Sequence, residues 1–317
     1  MNFRTYNDLT NCIVKNLHKI PRDIDLIVGV PRSGTMAGNI LALYLNLPFT
    51  DLDHFIQHDP LKTGSTRKSS RWIKDISEAQ HVLIVDDSIS SGQAMGEVKE
   101  LLSQNNITSK ITTLAVYGLA LSRGKVDICF ETVEQPRMFE WNFMHSWQLK
   151  YCCLDIDGVV CEDPSFLQND DGEKYLDFVN NAPPKFLPTQ PVGRFVSSRL
   201  GKYREATEAW MEKYNIEYDE LILMEGVTAS ERALSGSHAS FKADIYAHCD
   251  AILFIESNYE QALEICKLSG KPVFCVENMQ MITSDDVLAR INNKSRELKV
   301  TIKHGIKKVM KMAKKNS

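Results

Sequence analysis

Short apolar runs and stretches of 3.6-residue periodicity alternate along almost the whole chain, a pattern that predicts α/β layers built on mostly parallel sheets. In the first half, apolar runs predict strands over 25–30, 48–53, 82–87 and 111–118, with helices over 36–46 and 92–104. Residues 59–70 break the rhythm: they are rich in Gly, Ser, Thr and basic side chains and lack apolar spacing, which predicts a long loop with a functional reason to exist. A second series predicts strands over 151–157, 194–197, 218–225, 251–256 and 271–277, and helices over 202–214, 239–249 and 259–269. Between its first two strands, Pro164, Pro183, Pro184, Pro188 and Pro191 predict an irregular stretch. The two halves carry different motifs, so they are no internal repeat. The expected organisation is a first domain over 1–147, a second over 148–280, and a tail over 281–317.

That tail changes the picture only at its end. Lys299, Lys303, Lys307, Lys308, Lys311, Lys314 and Lys315 stand there without an acid, and Leu298, Ile302, Ile306, Val309 and Ala313 fall near one helical face. Such a basic amphipathic helix suits peripheral contact with an anionic membrane, or packing of its apolar stripe on its own protein. Elsewhere no apolar run approaches the roughly 18–20 residues that span a bilayer, and the first ten residues lack a signal-peptide core. The expectation is a cytoplasmic protein, at the inner face of a membrane if the tail binds lipid. The chain has 317 residues, 43% hydrophobic and 25% charged, with a net charge of −4, which disfavours a nucleic-acid partner held by bulk electrostatics. The eight cysteines show no zinc-ligand spacing and read as reduced core residues.

Two strand-then-loop segments carry the chemistry. The first, His81-Val82-Leu83-Ile84-Val85-Asp86-Asp87-Ser88-Ile89-Ser90-Ser91-Gly92-Gln93, delivers two acids at the carboxyl end of a strand, where open α/β sheets bind ligands. Backbone N–H groups at the following helix start suit a phosphate monoester, and paired carboxylates suit vicinal hydroxyls or a carbon gaining positive charge. Upstream, Gly29-Val30-Pro31-Arg32-Ser33-Gly34-Thr35 also follows a strand; it nearly fits a nucleotide P-loop, but Thr35 stands where the lysine is required.

Together these segments resemble type I phosphoribosyltransferases. The resemblance implies that Asp86 and Asp87 hold ribose hydroxyls of phosphoribosyl pyrophosphate. It places Ser88, Ser90, Ser91, Gly92 and Gln93 around its 5-phosphate, and Arg32, Ser33 and Gly34 on the pyrophosphate. Arg67, Lys68 and Arg71 occupy the position of that family's mobile flap, and a solvated basic loop is the plain alternative. The acceptor is less marked. Aromatic and polar residues within 131–147 suit a flat base or the apolar face of a sugar, and Asp51 and Asp53 are candidate general bases for a hydroxyl acceptor.

The second segment, Leu154-Asp155-Ile156-Asp157-Gly158-Val159-Val160, places two carboxylates two residues apart at a strand end. One can attack phosphorus while the other protonates the leaving oxygen, provided their surroundings separate their proton affinities. This segment resembles the first motif of haloacid dehalogenase-like phosphatases. The resemblance implies Asp155 as nucleophile, Asp157 as acid, Ser197 (with Ser198 as fallback) and Lys242 on the phosphoryl group, and Mg²⁺ held by Asp155, Asp157, Glu256 and Asn258. Residues 161–192 would form a small cap, with Arg199, Lys202, Tyr203 and Arg204 at the mouth. The plain alternative for Lys242 is an exposed helix lysine.

The pairing of the two resemblances is similar to two-domain ribofuranosyltransferases of bacterial surface polysaccharide assembly. It implies transfer of 5-phosphoribose to a glycan hydroxyll acceptor, free or lipid-linked, and then removal of the 5-phosphate. The rivals are a base phosphoribosyltransferase joined to a nucleotide 5′-phosphatase, and a regulator that binds phosphoribosyl pyrophosphate without turnover.

Overall fold

A computed structural model of the chain describes residues 1–62, 64, 69, 72–105, 107–225 and 238–290. The flap residues Arg67, Lys68 and Arg71 and the basic tail from 291 onward lie outside the described residues. The chain divides into two compact units, Asn2–Trp141 and the residues from Asn142 on, together with Met1.

In the first unit the elements run β1 (Asn2–Arg4), α1 (Tyr6–Asn16), β2 (Leu26–Gly29), α2 (Ser33–Leu45), β3 (Phe49–Asp51), α3 (Leu52–Ile56), β4 (His81–Ser88), α4 (Gln93–Gln104), β5 (Lys110–Gly118), β6 (Ile128–Thr132) and β7 (Arg137–Phe139). Strands β3-β2-β4-β5-β6 form one all-parallel sheet, and β1 pairs in parallel with β7 apart from it. The period-2 rule accounts for the two cores. Ile27, Leu83, Val85, Leu114 and Val116 face Leu9, Ile13, Ala37 and Leu41 of α1 and α2. Their neighbours Leu26, Val28, Val82, Ile84 and Ala115 face Leu52, Phe55, Met95, Val98 and Leu102 of α3 and α4. Strand order reverses between β2 and β4, so the loops leaving these two strands flank the crevice where such sheets take ligands.

In the second unit the elements are β8 (Cys152–Leu154), α5 (Glu173–Asn181), β9 (Val192–Leu200), α6 (Arg204–Lys213), β10 (Tyr218–Met224), α7 (His238–His248), β11 (Leu253–Glu256), α8 (Tyr259–Ser269), β12 (Val273–Cys275) and β13 (Gln280–Ile282). Their sheet runs β10-β9-β8-β11-β12-β13, parallel except for β13. Here the reversal lies between β8 and β11, and Asp155 and Glu256 stand at the ends of those strands.

Several expectations need correction. The strand over 151–157 is only Cys152–Leu154, because Trp147–Tyr151 turns as a 3₁₀ segment and both aspartates lie in the following loop. Ser197 does not end its strand: β9 continues to Leu200. The irregular insert contains α5, with Tyr175, Phe178 and Val179 buried. The tail expected from 281 begins inside β13, whose Met281 pairs with Phe274. Asp53 lies in α3 and not at a strand end. Among the described residues no helix is long and apolar enough to cross a membrane.

Candidate functional site

Two constellations stand at the two sheet reversals. In the first unit, β4 carries Asp86 and Asp87 to the crevice, and the chain then turns through Ser88–Gly92 into α4. Gly92 makes that turn at φ 83°, a left-handed conformation that favours glycine. The backbone N–H groups of Ser90, Ser91 and Gly92 donate to no protein group among the described residues. Three free donors at a helix start form a cradle for a phosphate. Helix α2 closes in from the other side. A Cβ on Gly34 would lie 2.6 Å from the Val85 carbonyl oxygen and 3.0 Å from Asp86 Cα, so only glycine lets the helix start approach the acids this closely. Ser33 Oγ donates to Asp87 Oδ1 at 2.7 Å. The Arg32 side chain, exposed beside it, pairs with no protein group among the described residues.

The two acids are not equivalent. Asp87 is 3% exposed, and its second oxygen accepts from Trp141 Nε1 at 2.8 Å. Asp86 Oδ1 accepts the Asp87 N–H at 2.9 Å. Burial, and then the charge of Asp87, push Asp86 up to about 8, so near neutrality Asp86 is held largely in its protonated form. Trp141 in turn stacks on Phe139 (4.9 Å, 7°) and lies 5.7 Å from the half-exposed Tyr6. That aromatic surface lies beside Asp87. Asp51, by contrast, caps α3 and pairs with His54 at 2.7 Å; burial would raise its carboxyl, but the His54 backbone and ring hold it low. It is committed to that turn.

In the second unit Lys242 takes the central place. Its Nζ donates to Asp155 Oδ2 at 2.6 Å, to Glu256 Oε2 at 2.7 Å and to Gln261 Oε1 at 3.2 Å. The side chain is 2% exposed; Ala239, Ala243 and Tyr246 share its face of α7, so the lysine belongs to a buried stripe. Burial alone would lower its pKa, but Asp155 and Glu256 outweigh it and raise it. Asp155 is pushed up to about 7 by burial, against the pull of Lys242 and with the charges of Glu256 and Asp157 adding to the rise.

Asp157 has a different partner. Arg199, its side chain fully buried, donates to both Asp157 oxygens, with Nη2 at 2.6 Å from Oδ1, while Nη1 reaches Thr207 Oγ1. Tyr175 on α5 donates to Asp157 Oδ2 at 2.7 Å. Against the burial that would raise it, Arg199 first and then Tyr175 hold Asp157 below the usual carboxylate range. The expected order of proton affinities is therefore reversed: the candidate nucleophile is the group held nearer neutrality, and the candidate acid is held as a carboxylate. Phe195 pairs with Leu154, so Ser197, two residues on, stands level with the Asp155–Asp157 loop; its Oγ accepts the Arg199 N–H at 3.4 Å. The buried Ser198 Oγ has no partner among the described residues.

These residues do not fit a resident Mg²⁺ in this arrangement. Lys242 holds the facing oxygens of Asp155 and Glu256, and the other Glu256 oxygen accepts the Ser257 and Asn258 N–H groups. Asn258 caps α8 through Gln261, and Arg199 covers Asp157. Among the described residues no three His, Cys, Asp or Glu side chains converge as metal ligands.

Comparison with known proteins bears on the first constellation. Residues 5–148 match the model of the phosphoribosyl transferase domain. The amino-terminal unit is thus similar to phosphoribosyltransferase domains. Over 100 residues the chain is 29% identical to the transcriptional regulator GfcR of Methanococcoides burtonii, covering 32% of this chain and 48% of that protein, so the chain spans about half the length of this curated relative. Among solved structures, the purine phosphoribosyltransferase of Pyrococcus horikoshii is similar at 18% identity (TM-score 0.33), over 44% of this chain and 92% of that one. The xanthine-guanine-hypoxanthine phosphoribosyltransferase of Helicobacter pylori is similar at 18% identity (TM-score 0.34), with the same coverage.

Within the first unit, Arg32–Gly34 and Asp86–Gln93 are brought to one crevice. In the second unit Asp155, Lys242 and Glu256 are brought together, with Asp157 beside them, whereas Asn258 turns to its helix cap. Arg199, expected at the mouth, is instead buried on Asp157. Lys202 Nζ and the Tyr203 hydroxyl bind the backbone of the insert at Asp171 and Gly172, and Arg204 binds the Leu221 carbonyl. Sequence reasoning missed Tyr175 and Trp141 as partners of the acids.

Proposed function

We propose that the chain transfers 5-phosphoribose from phosphoribosyl pyrophosphate to a hydroxyl acceptor, then hydrolyses the 5-phosphate to leave a ribofuranosyl unit on a glycan. The observation that carries the first step is the row of free N–H groups at Ser90–Gly92 beside Asp86 and Asp87. The cradle holds the 5-phosphate, and Asp86 and Asp87 face the sugar while positive charge develops at its anomeric carbon. Arg32 and the start of α2 receive the departing pyrophosphate.

The second step is supported by the cluster around Lys242. The Asp155 carboxylate forms a bond to phosphorus as the bond from phosphorus to the C5 oxygen breaks, and that oxygen takes up a proton from solvent water. Water then cleaves the acyl phosphate, restoring Asp155 and releasing phosphate. Lys242 offsets charge on the moving group, and Asp157, fixed by Arg199 and Tyr175, holds the loop in place. A phosphate is a binding handle at the first site and surplus charge in the product, which gives the order of steps its physical sense.

The likeness to a transcriptional regulator favours a second reading, in which the first unit binds the donor and reports its level without turnover. Mass analysis of products from phosphoribosyl pyrophosphate with glycan acceptors, and with free bases as competitors, separates these readings. Wild type should yield the acceptor plus one pentose, and Asp155→Asn should accumulate a product heavier by one phosphate. Rapid base-dependent pyrophosphate release would replace the glycan reading with the nucleoside one. Absence of any turnover with retained donor binding would establish the regulator.

A further inference from the structure

Arg137, on β7, is a buried cation without an anion. It is 7% exposed, its guanidinium lies 5.4 Å over the Phe139 ring, and it pairs with no carboxylate among the described residues. Its Nη1 donates to the Val133 carbonyl at 3.3 Å and its Nη2 to the Ile89 carbonyl at 2.9 Å. Burial lowers its pKa, with Asp87 the largest opposing charge. Placing a charge there and spending it on backbone carbonyls is costly unless the position itself matters.

Ile89 lies in the middle of the turn that precedes the cradle. Its N–H donates to the Tyr117 carbonyl at 2.8 Å and its C=O accepts from Arg137, so the peptide unit that joins it to Ser90 is anchored from its strand side. That peptide is trans. In a planar trans peptide the C=O and the following N–H point in opposite directions. Fixing the Ile89 C=O on Arg137 therefore aims the Ser90 N–H away from Arg137, on the open side of the turn where no protein group among the described residues receives it.

We infer that Arg137 is a positioning residue of the donor site: by holding the Ile89 carbonyl it turns the Ser90 N–H toward the 5-phosphate, and it adds a buried positive charge behind the cradle. This rests on the reading of Ser88–Gln93 as the 5-phosphate cradle. It concerns binding of the phosphate monoester and not of the pyrophosphate, which the Arg32–Thr35 loop would receive.

Calorimetric titration of the full chain with ribose 5-phosphate and, separately, with inorganic pyrophosphate tests it. Arg137→Met should weaken ribose 5-phosphate about tenfold or more, the scale of a lost hydrogen bond to a charged group, and leave pyrophosphate within about twofold. Arg137→Lys, which keeps the charge but cannot bridge both carbonyls, should show the same selective loss and serves where the methionine variant does not fold. Unchanged ribose 5-phosphate binding in a folded variant, or equal loss of both ligands, overturns the assignment. Failure of wild type to bind ribose 5-phosphate would instead remove the cradle reading itself.

Discussion

Replacing Lys242 with methionine removes the cation between two buried carboxyls while keeping much of the volume. At 2.6 and 2.7 Å, each ion pair carries a gross attraction of about 6 kcal/mol at an effective dielectric constant of about 20. Most of that offsets desolvation, and removal of one partner from a buried pair costs about 3–5 kcal/mol. Against a domain stability of about 5–15 kcal/mol, this places Lys242→Met near the limit of folding. The loss should also depend on pH. Asp155, at about 7, is already raised above its unfolded value, so its contribution is complete below about pH 4 and is lost as pH rises through 7. Without Lys242 the Asp155 carboxyl rises further, so relative to wild type each pH unit above about 7 adds about 1.4 kcal/mol while that carboxyl must stay neutral. The variant should therefore be far less stable than wild type at pH 8 and closer to it at pH 5. Lys242→Met combined with Glu256→Gln should recover part of the loss. Urea melts, with hydrogen exchange of Leu253–Glu256 to read the second unit apart from the first, provide the measurement. A loss below about 1 kcal/mol at pH 8, or one independent of pH, would refute the placement of Lys242 between the two acids.

Two other outcomes test the packing of the sites. Gly34→Ala sets a Cβ 2.6 Å from the Val85 carbonyl oxygen, so α2 must move off Asp86; pyrophosphate binding should fall about tenfold or more, and wild-type affinity by calorimetry would contradict the close approach. Arg199→Met leaves Asp157 buried without its cation. Wild-type Asp157, held low, contributes stability above its unfolded pKa that is lost as pH falls through its folded value. The variant should be less stable near neutrality by about 3–5 kcal/mol and show a shallower acid limb in urea melts; parallel acid limbs would refute the pairing.

Much of the first unit was legible because its signals are local. Apolar runs within Leu26–Gly29 and His81–Ser88 mark two strands buried on both faces, and the small residues after each strand mark where the chain turns. The acids Asp86, Asp87, Asp155 and Glu256 could be placed for the same reason: each ends or follows an apolar run. Their partners could not. Trp141 meets Asp87 across 54 residues, and Arg199 meets Asp157 across 42. No periodicity links such positions. Lys242 is an intermediate case. Ala239, Lys242, Ala243 and Tyr246 recur at helical spacing, so a lysine stands within an otherwise apolar stripe, and that placement itself argues for a buried counter-charge.

The insert before β9 shows how a correct rule led to a wrong element. Five prolines within 161–192 argue against helix wherever they stand in its interior, yet none does. Pro164 lies nine residues before Glu173, and Pro183 and Pro184 follow the last helical residue, Asn181, where a helix must stop in any case. Between them Tyr175, Phe178 and Val179 fall at helical spacing and are buried, and Trp210 donates to the Ala182 carbonyl just past the helix end. The prolines thus mark the bounds of α5. Because Tyr175 on that helix reaches Asp157, the segment is part of the second site's framework, and its removal would expose the carboxylate that Arg199 holds.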